Sequence, residues 1–153
     1  MQLSTKARYS VRAMVYLAFH GLFSPVSVKK IAEEEGIPLN YLERLLSRMK
    51  KKKLVRSFRG KGGGYMLARK PEEISLAEII KAAGENLYPT FCTQQNQRKI
   101  CQRVENCAVY LVWRKLGDLI VSFLDKITLR EVVEQLPQIK KRKEVLPDYT
   151  FYI

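Results

Sequence analysis

SVKKIAEEEGIPLNYLERLLSRMKKKKLVRSFRGKGGGYMLA, residues 27–68, is the stretch that decides the fold. Ser27 can cap a short helix, Val28 to Glu35, because its hydroxyl accepts an otherwise unpaired N–H of the first turn. Ile31 and Ala32 are its inward residues. Gly36-Ile37-Pro38 is a tight turn, since glycine tolerates a left-handed backbone and proline does not continue a helix. Leu39, Leu42, Leu46 and Met49 recur at helical spacing, which predicts a helix from about Leu39 to Lys51 with those four side chains buried. Leu54-Val55-Arg56-Ser57-Phe58 alternates as a strand does, Arg59 to Gly64 is a basic glycine-rich turn, and Tyr65 to Ala68 reads as a second strand. A glycine-bearing turn between two helices, followed directly by a basic hairpin, makes a winged helix-turn-helix.

The glycine run does not read as a nucleotide-binding loop. It lacks the Gly-Lys-Ser/Thr ending and the dinucleotide spacing, and a strand rather than a helix follows it.

Outside this stretch the pattern is helical. Ser4-Thr5 opens a helix running to about His20, with Val11, Met14, Val15 and Ala18 at helical spacing. Ser75 caps a short helix, Leu76 to Ala83, and Gly84 to Gln97 is irregular. A long helix runs from Ala108 to about Ile127, and Thr128 caps a last one, Leu129 to Leu136. In the long helix Trp113, Leu116, Ile120, Phe123 and Ile127 step by three and four residues, a seam able to pack on another helix. Val109, Val112, Leu119 and Leu124 form a second apolar row. Two rows predict packing on the chain itself and on a second copy, a homodimer. The fold class expected is mainly α with a small β-hairpin: a winged helix-turn-helix (1–83), a cysteine-bearing loop (84–107), a dimerisation helix with its short successor (108–136), and a basic, aromatic tail (137–153).

The chain has 153 residues and a formal charge of +13. Residues 1–70 hold 16 Lys and Arg against four Glu, a net +12, and the remainder holds 12 basic against 11 acidic residues. An excess confined to one half is expected where that half meets a polyanion such as double-stranded DNA. No apolar run reaches the ~18 residues of a membrane span, and residues 1–12 lack the apolar stretch of a signal peptide. The expected setting is the cytoplasm, with no membrane partner.

With the leucine stripe of the third helix turned inward, the opposite face carries Asn40, Tyr41, Glu43, Arg44, Ser47 and Arg48. Arginine pairs with guanine through two bonds, asparagine does so with adenine, and glutamate accepts from cytosine. Val28 at the head of the second helix, Lys50 at the end of the third, and Arg59, Gly60 and Lys61 of the wing complete the expected DNA-contact set.

All three cysteines, Cys92, Cys101 and Cys107, lie in one segment. An odd count argues against a closed disulfide framework, and in a reducing compartment clustered thiols more often bind metal than pair. The spacing does not fit zinc fingers or ribbons, which need closely spaced Cys pairs. Thiolates spread over an irregular loop suit an iron–sulfur cluster.

Met1 to Tyr9, Asn40-Tyr41-Leu42-Glu43 and Arg59 to Tyr65 resemble the Rrf-two family of winged-helix transcription regulators. The cysteines and the Trp113 helix resemble its IscR-type iron–sulfur sensors. The resemblance spans roughly residues 1–135. It implies a homodimer with crossing C-terminal helices on a palindromic operator. It also implies cluster ligation by Cys92, Cys101 and Cys107, [2Fe–2S] with [4Fe–4S] left open, and a coupling role for Glu43. Two departures leave the fourth ligand open. The IscR-type histidine position is Tyr110, and the NsrR-type acidic position is Arg8. Glu105 is the oxygen donor within the loop, and His20, the only histidine, ends the first helix.

The function expected is a DNA-binding regulator, a repressor in the first instance, gated by the cluster and sensing iron–sulfur status or redox or nitric-oxide stress. A cluster-free member governed by a partner protein, as CymR-type members are, is the alternative. An iron–sulfur redox protein is disfavoured by the +12 half, and no catalytic base–nucleophile pair is legible.

Overall fold

Ser4 caps α1 (Thr5–His20), its hydroxyl accepting from the Ala7 N–H at 3.4 Å. The computed structural model describes residues 2–94 and 101–136; the tail at 137–153, with its basic and aromatic residues, lies outside them. Ser27 caps α2 (Val28–Glu35) through the Lys30 N–H at 3.3 Å, and Gly36 ends it at φ +58°. That left-handed value is the usual glycine stop. α3 (Leu39–Lys51) follows at once. β1 (Val55–Phe58) and β2 (Gly64–Leu67) pair antiparallel, Val55 opposite Leu67 and Phe58 opposite Gly64. Val26 also exchanges two backbone hydrogen bonds with Tyr65, at 2.9 and 2.8 Å, so the wing is tied to the loop preceding α2.

α4 (Leu76–Ala82) starts on a full capping box, Ser75 and Glu78 each bonding the other's backbone. Two 3-10 turns, Phe91–Thr93 and Val104–Asn106, precede α5 (Ala108–Lys126). A last helix, α6 (129–136), is capped by Thr128, which accepts from the Glu131 N–H at 3.3 Å. Leu76 donates to Ile127 O and Leu129 to Ile74 O, at 2.9 and 3.0 Å, which fastens the α5–α6 junction to the head of α4. The architecture is thus mainly helical with one two-stranded hairpin and a long C-terminal helix.

The main core gathers Met14 and Leu17 of α1, Ile31 of α2, Leu42, Leu46 and Met49 of α3, and Leu54, Ile79 and Leu129. Fully burying a side chain of this kind contributes about 1.5–3 kcal/mol, so α3 is held at a fixed orientation from several sides. A second cluster joins Ala7 of α1, Ala77 and Ile80 of α4 and Leu87 to Ile120, Val121 and Leu124 of α5. Through it α5 packs on α1 and α4, the two helices against which α3 is set.

Leu39 corrects the expected stripe: it is 42% exposed, and Leu45 is buried in its place. At 100° per residue Leu39 lies about 70° from the centre of the Leu42, Leu45, Leu46, Met49 face. The two rows of α5 also divide differently from expectation. Ile120 and Leu124, one from each row, pack inward. Val109, Val112, Trp113, Leu116, Leu119 and Phe123, together with Leu111, are exposed.

Candidate nucleic-acid interface and cysteine loop

The face of α3 opposite the leucines presents Asn40, Glu43, Arg44, Ser47, Arg48 and Lys50 to solvent. Arg59, Gly60 and Lys61 are exposed at the tip of the hairpin. Tyr41 is half-buried, its ring edge-on to Tyr9 at 6.1 Å, and Val28 packs against the main core. These two shape the surface from below. Lys50 donates to the Ser57 hydroxyl at 2.6 Å, which links the end of α3 to β1. Arg48 is also engaged within the chain: its Nη1 donates to the Ala83 carbonyl at 2.7 Å.

Arg12 with Glu35, Arg69 with Glu78, Lys81 with Asp125, Arg114 with Asp118, Arg130 with Glu134 and Lys29 with Glu33 form the described salt bridges. None of them uses a residue of the expected DNA-contact set. Arg44, Arg59 and Lys61 therefore keep their charge for an external anion, and Glu43 has no internal cation among the described residues. Because exposed pairs contribute only about 0–1 kcal/mol, such cations are not needed for folding, whereas phosphates would use each of them.

No helix of the structure is long and apolar enough to cross a membrane among the described residues.

The cysteine loop leaves α4 at Ala83 and rejoins the helical framework at Cys107, which is the N-cap residue of α5. Cys92 sits in the first 3-10 turn, its Sγ 3.6 Å from the Thr90 hydroxyl. Thr93 beside it is buried and donates to Thr90 O at 2.8 Å, which stiffens the turn. Cys101 accepts, through its carbonyl, the Val104 N–H that opens the second turn. All three thiols are free and half-buried. In kind, the donor set fits a soft, thiolate-bound group. Among the described residues, no three His, Cys, Asp or Glu side chains stand close enough together to hold a metal ion, and residues 95–100 between Cys92 and Cys101 are not described.

The remaining ligand candidates part company. Tyr110 is buried in the first turn of α5, and Arg8 is exposed on α1. His20 stacks on Tyr16 at 4.3 Å and lines a cavity of about 270 Å³ with Glu34, Glu35 and Leu136, away from the loop. Glu105 is exposed in the loop itself.

Sequence reasoning did not foresee how the loop is anchored. A methyl at Gly117 would stand 2.2 Å from the Tyr88 ring, so that ring lies directly on the α5 backbone. The Tyr88 hydroxyl donates to Asp118 at 2.8 Å, and the Arg114 guanidinium lies over the ring at 5.9 Å. The hydrogen bond to Asp118, followed by burial, raises the Tyr88 phenol above its ordinary value of 10.0. A lone glycine inside a long apolar helix is the signal the sequence offers for this contact.

The Rrf2 (Rrf-two) family, described as an iron-dependent transcriptional regulator, matches residues 3–135 of the chain. The HTH-type transcriptional regulator IscR of Photorhabdus laumondii subsp. laumondii is 44% identical over 133 residues, 87% of this chain and 79% of that protein. The structure of T. potens IscR superposes with a TM-score of 0.68 at 34% identity, covering 99% of this chain and 97% of that one. CymR, the global cysteine regulator of B. subtilis, gives a TM-score of 0.70 at 28% identity over 88% and 97%. With α3, its wing and the long C-terminal helix in the arrangement of these relatives, the chain belongs to the Rrf2 family of helix-turn-helix transcriptional regulators, DNA-binding proteins rather than enzymes.

Proposed function

We propose that this regulator works in the cytoplasm as a homodimer on a palindromic operator, and that an iron–sulfur cluster held by Cys92, Cys101 and Cys107 sets its DNA affinity. The observation that carries the reading is positional. The segment with three free thiols runs from the end of α4, which Arg48 of the reading helix contacts, to the first residue of α5, whose outer face is apolar and exposed. A displaced loop would therefore bear on both helices.

Two copies of α5 packed through Val112, Leu116, Leu119 and Phe123 would remove that apolar surface from water and fix the separation of two reading heads. Asn40, Glu43, Arg44 and Ser47 would then reach base edges, and Lys50, Arg59 and Lys61 the phosphates. Glu43 repels the backbone and is tolerated where it accepts from a cytosine, so it rejects sites lacking one. Arg48 enters the base-reading set only where its remaining donors are free of Ala83.

When bound, the cluster would supply a redox- and iron-sensitive group, [2Fe–2S] by preference over [4Fe–4S], with one ligand other than cysteine. The half-exposed thiols and the exposed Glu105 suit a group that is lost readily under iron shortage, oxidant or nitric oxide. Cluster loss would then change operator affinity.

A second reading is favoured by Tyr110, buried at the position that the resemblance gives to the IscR-type histidine, and by the likeness to CymR. In it the chain carries no cluster and answers to a partner protein in cysteine metabolism. Anaerobic purification with iron and sulfide analysis separates the two. A coloured, sulfide-containing dimer whose holo and apo forms differ in operator affinity at fixed salt is expected. A colourless sample with no sulfide would overturn the cluster reading, and replacing all three cysteines by alanine must remove iron and sulfide while the fold persists.

A further inference from the structure

Arg48 reads from sequence as a base contact, yet its guanidinium is committed elsewhere. Nη1 donates to Ala83 O at 2.7 Å, at the last turn of α4. The fit there is close: a methyl on Gly84, at φ +80°, would stand 2.8 Å from that same Nη1. Position 84 is thus kept clear for the guanidinium by the absence of a side chain, in a backbone conformation other residues rarely adopt. Two groups from the start of α1 hold the next two residues. Lys6 Nζ donates to Gly84 O at 2.8 Å, and the Ser4 hydroxyl donates to the Glu85 carboxylate. The last carbonyls of α4 carry the negative end of its dipole, so cations are the groups that bind there. The cysteine loop begins at this point.

From this geometry we infer that Arg48 is a positioning residue, the link that transmits displacement of the cysteine loop to the reading helix. Arg48 lies one turn from Arg44 on α3, so a shift of residues 83–84 pulls on the helix next to a base-reading side chain. Lys6 and Ser4 hold the same loop root to α1, which leaves Arg48 as the direct bond between that root and α3. The inference rests on the proposal that the loop controls DNA binding, but not on what the loop carries.

The test uses full-length, metal-free, reduced protein: wild type, Arg48→Ala, Arg48→Lys and Gly84→Ala. Two quantities are measured. One is the slope of log operator affinity against log salt. The other is the rate at which iodoacetamide alkylates the loop thiols, with and without saturating operator DNA. Binding free energies are reciprocal, so a loop that alters DNA affinity must itself be altered by DNA, by roughly fivefold or more in its accessible population. Wild type is expected to show that change in thiol reactivity. Arg48→Ala and Gly84→Ala are expected to lose it with the salt slope intact, and Arg48→Lys to recover part of it, since an ammonium still reaches a carbonyl. Gly84→Ala keeps the arginine in the chain but crowds its guanidinium off the Ala83 carbonyl, and it covers the case in which Arg48→Ala fails to fold.

A slope lower by about 0.9 per half-site in Arg48→Ala, or relaxed base preference, would make Arg48 a DNA contact and overturn the inference. So would a DNA-dependent change in thiol reactivity that survives in both Arg48→Ala and Gly84→Ala, while loop control itself would stand. If wild type shows no DNA-dependent change, loop control fails and the link fails with it.

Discussion

Replacing Gly64 by alanine should unfasten the wing without touching its charges. An added Cβ would lie 2.1 Å from Val26 O and 2.4 Å from Val26 C. Both are backbone atoms, so no side-chain rotation relieves the clash, and β2 must slide off the loop preceding α2. Two hydrogen bonds go with it, Val26 N to Tyr65 O at 2.9 Å and Tyr65 N to Val26 O at 2.8 Å. At about 0.5–1.5 kcal/mol net for each, the loss comes to about 2 kcal/mol. For a chain of this size that corresponds to a fall in melting temperature of roughly 4–8 °C.

The hairpin carrying Arg59 and Lys61 would also lose its fixed distance from α3, so operator affinity should fall. Its salt slope should flatten by about 0.9 for each phosphate that the wing no longer neutralises. Gly62 provides the control. Nothing lies within 4 Å of a methyl there, although φ is +82°, so Gly62→Ala strains the tip by roughly 1 kcal/mol and leaves the Val26 bonds intact. Circular-dichroism melts and fluorescence-anisotropy titrations at several salt concentrations read both effects. A Gly64→Ala protein that melts with wild type and keeps its salt slope would refute the claim that close approach to Val26 positions the wing.

Three further outcomes are expected. Arg44→Ala should relax base preference and cost about 1–3 kcal/mol on the best operator, whereas Lys61→Ala should weaken all sequences alike; a uniform loss in both would remove the base-reading role of the α3 face. Phe123→Asp, at a side chain 66% exposed in the single chain, should give a monomer in analytical ultracentrifugation, because a carboxylate buried unpaired costs about 3–5 kcal/mol, and an intact dimer would place the interface elsewhere. Tyr88→Phe tests a titration whose sign is fixed: a phenol held above 10.0 by Asp118 favours the folded state below pH 10, and that stabilisation is lost as pH rises through the raised value. Alkaline unfolding should therefore be steeper in wild type than in Tyr88→Phe, and identical profiles would mean that the Asp118 bond does not form in solution.

Local signals carry most of the fold. Ser4, Ser27, Ser75 and Thr128 each cap the helix their position announces, because an N-cap is decided within four residues of chain. The hairpin is readable for the same reason: alternation and the glycine turn are both short-range. Leu39 shows where that logic stops. Its spacing fits the stripe, but burial depends on where the centre of the helix face falls against α1 and α2, a property of the packed layer. The rows on α5 fail similarly, since periodicity identifies apolar positions without saying which neighbour each one meets.

The candidate site divides along the same line. Exposed cations on α3 and the wing are legible because sequence order places them on one helix face and one turn. Arg48 reads as free because its partner is a backbone carbonyl 35 residues away, and backbone acceptors leave no mark on a sequence. Gly84 and Gly117 are the traces such contacts leave: each is a glycine where a methyl would strike a specific side chain, Arg48 in one case and Tyr88 in the other. Both contacts lie at the start of the cysteine loop, at residues 84 and 88, the first against α3 and the second against α5. That pairing gives a physical reason why a chemical event at the thiols should be felt at the DNA-reading surface. The stretch that leads into Cys92 is seated on α3 at residue 84 and on α5 at residue 88, so a displacement of that stretch would bear on both helices.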